Sequence, residues 1–322
     1  ETRAAADFLF KKMEEAGLET WQDPAGNLFG LLPGRNREKP CILCGSHYDS
    51  VSGGGNYDGI AGVVCAIELA RVLREEGITP DADYLAAAFM DEEGCRFGSG
   101  YFGSKAVLGR LEPGEAGRLT DEEGITLARA MERYGLKAGE LPKAAWPKGR
   151  IGHFLEIHIE QGPVLDGQKK ELGVVEGIVG LRRYRVAVNG RADHAGTTPM
   201  DMRSLQYEVL EEIPARIRRR LQEETEKTGG SFTMEETLRI QPVELSRPMR
   251  KILEESCRER GYSWMALPSG AGHDALAMGQ QVDTAMLFVP SRAGRRHCPE
   301  EYTPPEAFGR AVQVMKDLIV RL

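Results

Sequence analysis

PCILCGSHYDS, residues 40–50, is an apolar run that turns polar only at its end. Such a run reads as a strand buried in a sheet, with its C-terminal end opening onto a site. The same design recurs in DYLAAAFMDEEG (83–94), where carboxylates collect at the end of the run. Between the two, a glycine-rich loop, SGGGNYDG (52–59), leads into a helix with apolar residues at helical spacing, roughly 59–76. A third run, HFLEIHIEQG (153–162), alternates, with Ile157 and Ile159 on one side and Glu156, His158 and Glu160 on the other. Strand, helix, strand with polar groups at the strand ends is the α/β pattern, in which sites gather outside the carboxyl ends of the sheet.

Outward from this frame, ADFLFKKMEEAG (6–17) reads as an amphipathic helix ending at Gly17, followed by a hairpin that turns near AGN (25–27). The chain begins at Glu1 inside that helical pattern, so residues are expected to precede it. At about Gly180 the texture changes. LRRYRVAVNGRADHAG (181–196) alternates as a half-exposed strand, and EVLEEIPARIRRRLQEETEKTG (208–229) is a charged helix. These are expected to form a separate α+β unit inserted into the first domain. The expected division is 1–179 and 246–322 for the main domain and 180–245 for the insert. RIRRRLQEETEK (216–227) is read as a solvated face laced with Glu/Arg pairs rather than an anion-binding face. No internal repeat or low-complexity tract is present.

Composition narrows the function. A chain of 322 residues holds a large core and more than one domain, and a net charge of −7 argues against general nucleic-acid binding. A small anionic substrate met by local arginines stays compatible with that charge. No apolar run approaches the ~20 residues of a membrane span, and no signal peptide is recognisable. The six cysteines lie mostly in apolar runs; Cys41 and Cys44 are read as reduced core thiols rather than a redox or zinc pair, which makes a reducing cytoplasm the expected setting.

Five residues are candidate metal ligands: His47, Asp58, Glu93, His158 and His297. Each stands at the end of an apolar run or just beyond it, in GSHYDS, GNYDGIAG, MDEEG, LEIHIEQGP and RRHCPEE. Glu92 adds a second carboxylate beside Glu93. This is the inventory for two divalent cations sharing a carboxylate, with a spare carboxylate to handle a proton, and it points to a hydrolase that activates water. Asp49, two residues after His47, is placed to orient and strengthen that imidazole. Alone, this spacing also fits a surface histidine with a helix-capping Asp. Asp58 likewise fits either a plain N-cap or a bridging carboxylate. Glu160 and Gln161 lie just beyond His158, in reach of substrate or of the ligands. His194, before small and hydroxyl residues in RADHAGTTPM, suits a donor to a developing oxyanion. His273 and Asp274 open a helix after glycines, where backbone N–H groups hold anions. Mixed His and carboxylate ligands suit zinc, manganese, cobalt or nickel alike.

HYDSV, GGNYDGIAGV, DEEGCRFG, EIHIEQGPVLD, HAGTTPM, SGAGHDA and VPSRAGRRHCPEEYT together resemble the N-carbamoyl-L-amino-acid hydrolases. With allantoate amidohydrolases and β-ureidopropionases, these form a group within the M20 metallopeptidase superfamily. The resemblance covers most of the chain, and EIHIEQGP and SGAGHDA are the motifs that separate this branch from the peptidases. It implies a zinc-aminopeptidase-like mixed sheet flanked by helices, with an inserted ferredoxin-like lid that also dimerises. One cation would take His47, Asp58 and His158. The other would take Asp58, Glu93 and His297, with Glu92 as general base. Gln161, His194, Gly272, His273 and Arg203 would meet a ureido or amide substrate carrying a carboxylate. The cations would be zinc or manganese, with cobalt or nickel possible, and the protein a homodimer in the cytoplasm.

Two departures from the family pattern stand out. DMRSLQYEVLEEI (201–213) follows HAGTTPM almost at once, where the family carries a helix, strands, an Asn-Val-Ile-Pro segment and a substrate-gripping Asp-x-Arg. A segment between Arg203 and Ser204 is therefore expected to be absent from this sequence, and Arg203 matches either the lid-start Arg or the carboxylate-binding Arg. Arg296 stands where the family usually has Ser before the last histidine. The expected reaction is hydrolysis of the carbamoyl C–N bond of N-carbamoyl-L-amino acids. The rivals are allantoate or 3-ureidopropionate hydrolysis, an M20 dipeptidase or aminoacylase, and a metal-binding protein without turnover.

Overall fold

The computed structural model describes residues 2–179, 181–189 and 213–322. The chain divides into two compact units, Glu1–Val179 with Val243–Leu322, and Gly180–Pro242.

The first unit is built on a nine-stranded mixed sheet. Its elements run α1 (Thr2–Glu15), β1 (Glu19–Gln22), β2 (Leu28–Leu32), β3 (Cys41–His47), α2 (Ile60–Glu75), β4 (Tyr84–Phe89), α3 (Phe102–Val107), α4 (Glu115–Arg118), α5 (Leu127–Tyr134), β5 (Ile151–Ile159), α6 (Val164–Gly167) and β6 (Leu172–Ile178). The second unit holds β7 (Leu181–Asn189), α7 (Ile213–Thr228) and β8 (Ser231–Ile240). The first then resumes with β9 (Val243–Glu244), α8 (Arg247–Glu259), β10 (Trp264–Ser269), α9 (Asp274–Met278), β11 (Asp283–Val289) and α10 (Pro305–Arg321). Across the sheet the order is β1-β2-β4-β3-β5-β11-β6-β10, with β9 alongside β6. β4, β3, β5 and β11 run parallel to one another, while β2 and β6 join this block antiparallel.

Every residue of β3 and of β4 is buried, as expected of parallel strands covered on both faces. Ile42 and Cys44 of β3, Ala86 and Ala88 of β4, and Leu155, Ile157 and Ile159 of β5 enter one large core with α2 and α10. Glu156 and His158 turn to the opposite face of β5, where α9 packs. Helix α2 lies so close to β5 that a Cβ at Gly62 would stand 2.3 Å from the Ile157 carbonyl oxygen. A smaller core of Phe97, Phe102, Leu127, Met131 and Leu141 backs the loops after β4. The thiols of Cys41, Cys44, Cys65 and Cys257 are free and buried, and burial pushes those of Cys41 and Cys44 up to about 12, so both stay protonated. No described helix is long and apolar enough to cross a membrane.

In the second unit, β7 and β8 pair antiparallel over their length and α7 packs on β8. Charges on α7 pair along the helix, Arg220 with Glu223 and Glu224, and Lys227 with Glu224. Val243–Leu245 were expected with this insert, but the contact division places them in the first unit. Val243 pairs with Ile178, and the Leu245 N–H donates to the Glu176 carbonyl at 3.1 Å.

Candidate metal centre

Four neighbouring parallel strands deliver the candidate ligands from their C-terminal ends. His47 is the last residue of β3, and His158 is the penultimate residue of β5. Glu92 and Glu93 follow β4, Asp58 precedes α2, and His297 lies in the loop after β11. Gly59 makes this convergence possible. Its φ is +64°, and a Cβ there would lie 2.3 Å from the His47 ring.

Asp58 sits at the centre with its two oxygens facing different imidazoles. Oδ1 is 3.2 Å from His158 Nε2 and 3.8 Å from His47 Nε2. Oδ2 is 2.9 Å from His297 Nε2, which is in turn 3.6 Å from Glu93 Oε1. Two ligand sets therefore share Asp58: His47, Asp58 and His158 on one side, and Asp58, Glu93 and His297 on the other. Asp58 Oδ1 and His158 Nε2 are buried without a hydrogen-bond partner among the described residues. Orphaned polar atoms are costly in a protein interior, and a shared cation satisfies both. Ligands about 2.0–2.2 Å from one tetrahedral ion stand roughly 3.3–3.6 Å from each other, close to the observed separations. The residues present fit a pair of divalent cations.

The electrostatics agree with that fit. Burial opposes charge on the His47 ring, but the Asp49 hydrogen bond and the charges of Glu92 and Asp49 hold the imidazole well above its usual range. His158 is raised in the same way, with burial overcome by Asp58. Burial pushes the Asp58 carboxyl up, yet the rings of His158, His47 and His297 hold it well below the usual range. The charged form of the His47 and His158 rings is thus favoured where cations are absent, and cations would compete with those protons. Glu92 lies 4.0 Å from His47 Nε2, and burial raises its carboxyl well above the ordinary value. A carboxylate with a raised pKa at the edge of such a cluster suits proton transfer.

The surrounding residues divide into those that meet this cluster and those that do not. Asp49 Oδ1 is 3.3 Å from His47 Nδ1, and the Asp49 carboxylate accepts the backbone N–H groups of Glu92 and Glu93 at 3.0 and 3.1 Å. One carboxylate thereby sets both a histidine and the glutamate pair. Gln161, at φ +56°, donates its amide to Asp58 Oδ2 at 2.8 Å. Glu160 accepts the N–H groups of Val164 and Leu165, both at 2.8 Å, at the start of α6. At α9 the anion expected on free N–H groups is the protein's own. Glu156 takes the Ala275 N–H at 2.8 Å and the Ser46 hydroxyl at 2.7 Å. His273 is buried, with Nε2 2.9 Å from the Ser269 hydroxyl and its ring edge-on to His158 at 4.3 Å. Gly272 is exposed, and a Cβ there would stand 1.8 Å from the Tyr101 hydroxyl. His194 and Arg203 lie outside the described residues.

Two buried carboxylates beside the cluster had no role in the sequence reading, Glu156 and Glu301. The alternation of EIHIE held a signal for Glu156, because a strand with an apolar opposite face must satisfy that carboxylate inside the fold.

Known proteins agree with this architecture. The model of peptidase family M20/M25/M40 matches residues 43–321. The N-carbamoyl-L-amino-acid amidohydrolase of Paenarthrobacter aurescens is 36% identical over 98% of this chain and 89% of its own. The allantoate amidohydrolase of Bacillus subtilis (strain 168) is 32% identical over 97% of this chain and 88% of its own. A hydantoinase/carbamoylase family amidase from Burkholderia ambifaria superposes with a TM-score of 0.79 at 26% identity, covering 99% of this chain and 88% of its own. The Paenarthrobacter alignment runs over 368 positions, more than this chain has residues, so that relative carries internal stretches with no counterpart here. The chain belongs to peptidase family M20/M25/M40 and, within it, to the group that holds the N-carbamoyl-L-amino-acid and allantoate amidohydrolases.

Proposed function

We propose that this protein hydrolyses the carbamoyl C–N bond of N-carbamoyl-L-amino acids, giving the amino acid, ammonia and carbon dioxide. The observation that carries the reading is Asp58, whose two oxygens face separate imidazole sets while Glu92 lies buried beside one of them. His47, Asp58 and His158 would hold one divalent cation, and Asp58, Glu93 and His297 the other. When bound, such a pair supplies Lewis acidity and lowers the pKa of water from about 15.7 toward neutrality. Glu92 accepts the proton of the attacking water and returns it to the leaving amino nitrogen as the C–N bond breaks. The carbamate released decomposes to carbon dioxide and ammonia. His194 is assigned to the developing oxyanion. Gln161, Gly272, His273 and Arg203 are assigned to substrate. Zinc or manganese is the expected metal, with cobalt or nickel able to substitute. A homodimer joined through the inserted unit, in the cytoplasm, is the expected state.

Allantoate is the second reading, favoured by the 32% identity to the Bacillus enzyme. The test is side-by-side ammonia release from N-carbamoyl-L-amino acids, allantoate and 3-ureidopropionate, with a dipeptide, followed by the appearance of its free amino acids, as the non-ureido control. Each is assayed with added Zn²⁺ or Mn²⁺ and again with a chelator. The expected outcome is metal-dependent turnover, highest kcat/KM on an N-carbamoyl-L-amino acid, and no dipeptide cleavage. A clear preference for allantoate replaces the first reading with the second. Cleavage of the dipeptide alone removes both.

A further inference from the structure

Glu301 is 4% exposed, and among the described residues its carboxylate bonds only to backbone in the segments that carry two of the candidate ligands. Oε1 accepts the N–H of Tyr57 at 3.0 Å and of Asp58 at 3.2 Å. Oε2 accepts the N–H of His297 at 3.3 Å. The Asp58 loop and the His297 loop are otherwise remote in the chain. One carboxylate therefore fixes the backbone of both residues whose side chains meet at 2.9 Å.

Two further features show that this contact is built. His297 is a non-glycine residue at φ +53°, a left-handed conformation that persists only where the surroundings hold it. The N–H held by Glu301 belongs to that residue. Gly55 lies against the same carboxylate, and a Cβ there would stand 2.2 Å from Glu301 Oε1 and 2.4 Å from its Cδ. The glycine leaves room for the carboxylate to reach Tyr57 and Asp58. A glutamate that merely closed its own turn would need neither reach nor room. Glu301 closes that turn with its backbone, its N–H donating to the Cys298 carbonyl at 3.1 Å.

We propose that Glu301 is a positioning residue that clamps the Asp58 loop to the His297 loop and so sets the second ligand set, Asp58, Glu93 and His297. The inference rests on the two-cation reading above. His47 and His158 stand on strands β3 and β5, outside the clamp, so the first set depends on it less.

The test titrates metal-stripped wild type, Glu301→Gln and Gly55→Ala with Zn²⁺ against a chromophoric chelator, with circular dichroism confirming the fold. Glutamine keeps one carbonyl acceptor but turns an NH₂ toward the other N–H side. Gly55→Ala leaves the carboxylate in the chain and takes away its room, so it carries the test should Glu301→Gln fail to fold. Wild type is expected to bind two ions. Both variants should keep the first within about 3-fold and bind the second about 10–100-fold more weakly, the usual effect of losing a group that orients a ligand. Wild-type affinity at both steps in the variants, or equal weakening of both, overturns the clamp. A wild type that takes fewer than two ions overturns the two-cation reading itself, which is a different result.

Discussion

Asp58 carries one carboxylate and faces three imidazoles, at 3.8, 3.2 and 2.9 Å. Only a residue with two acceptor oxygens can serve both sides of such a cluster, which is why Asn in its place would keep the shape and lose the bridge. Glu92 stands apart from Asp58. Its burial raises its pKa, and it belongs to neither of the ligand sets that share Asp58. The proposed division of labour therefore predicts that Glu92→Gln keeps both ions and loses turnover by about 10²–10⁴-fold. Metal content of the dialysed variant and its single-turnover rate check this. Retained metal with near-normal turnover removes Glu92 as the base. His47 and His158 were legible in the sequence because each ends or interrupts an apolar run, and a buried imidazole needs a reason; Asp58, after a glycine-rich loop, and the exposed His297 were legible only through their motifs. Glu301 was not legible. Its partner Tyr57 is 244 positions away, its own segment has no apolar periodicity, and only the folded chain shows whose amides it takes.

The sheet was readable at the scale of elements for a related reason. β3, β4 and β5 announce themselves as apolar runs with polar ends, and their parallel pairing places His47, Glu92 and His158 at one edge. The role of α9 was not readable, because nothing local in SGAGHDA says that the anion at its start comes from β5. Asp274, the first residue of α9, is buried, and its carboxylate oxygens make no hydrogen bond of good geometry among the described residues, although the Ser104 hydroxyl favours its charged form. Burial pushes it up to about 8. In the folded, metal-free chain it stays protonated across a range where the unfolded chain, with a carboxyl near its ordinary 3.8, has ionised. The folded state then binds more protons, so this contribution is full below about pH 4 and is lost as pH rises through about 8. Asp274→Asn removes the titration. Chemical melts of chelator-treated protein from pH 4 to 9 should show stability falling less steeply in the variant, by up to ~1.4 kcal/mol per pH unit. Parallel wild-type and variant curves would mean that Asp274 ionises freely in the fold.

At the scale of the whole molecule, the proposed ligands and the insert fall in different units. Every proposed metal ligand, and Glu92, lies in the unit formed by Glu1–Val179 and Val243–Leu322. The chain leaves that unit after β6 and re-enters it at β9, and these strands pair antiparallel with Ile178 opposite Val243. The two crossing points are therefore neighbours, roughly 5 Å apart between Cα atoms. Replacing 180–242 by a few glycines closes a loop that the β6–β9 ladder already holds, at little entropic cost. The excised protein is expected to fold, to bind two Zn²⁺ ions with affinity near that of the intact chain, and to run as a monomer where the intact chain is proposed to run as a dimer. Hydrolysis of the preferred ureido substrate should fall by about 10²-fold or more, the usual effect of losing an oxyanion donor such as the one assigned to His194. Size exclusion, chelator competition and ammonia release read these outcomes separately. Lost ion binding in a folded product would make the ligand cluster depend on the insert. Undiminished turnover would remove the insert, and His194 with it, from the chemistry and leave the sheet edge as the whole of the enzyme.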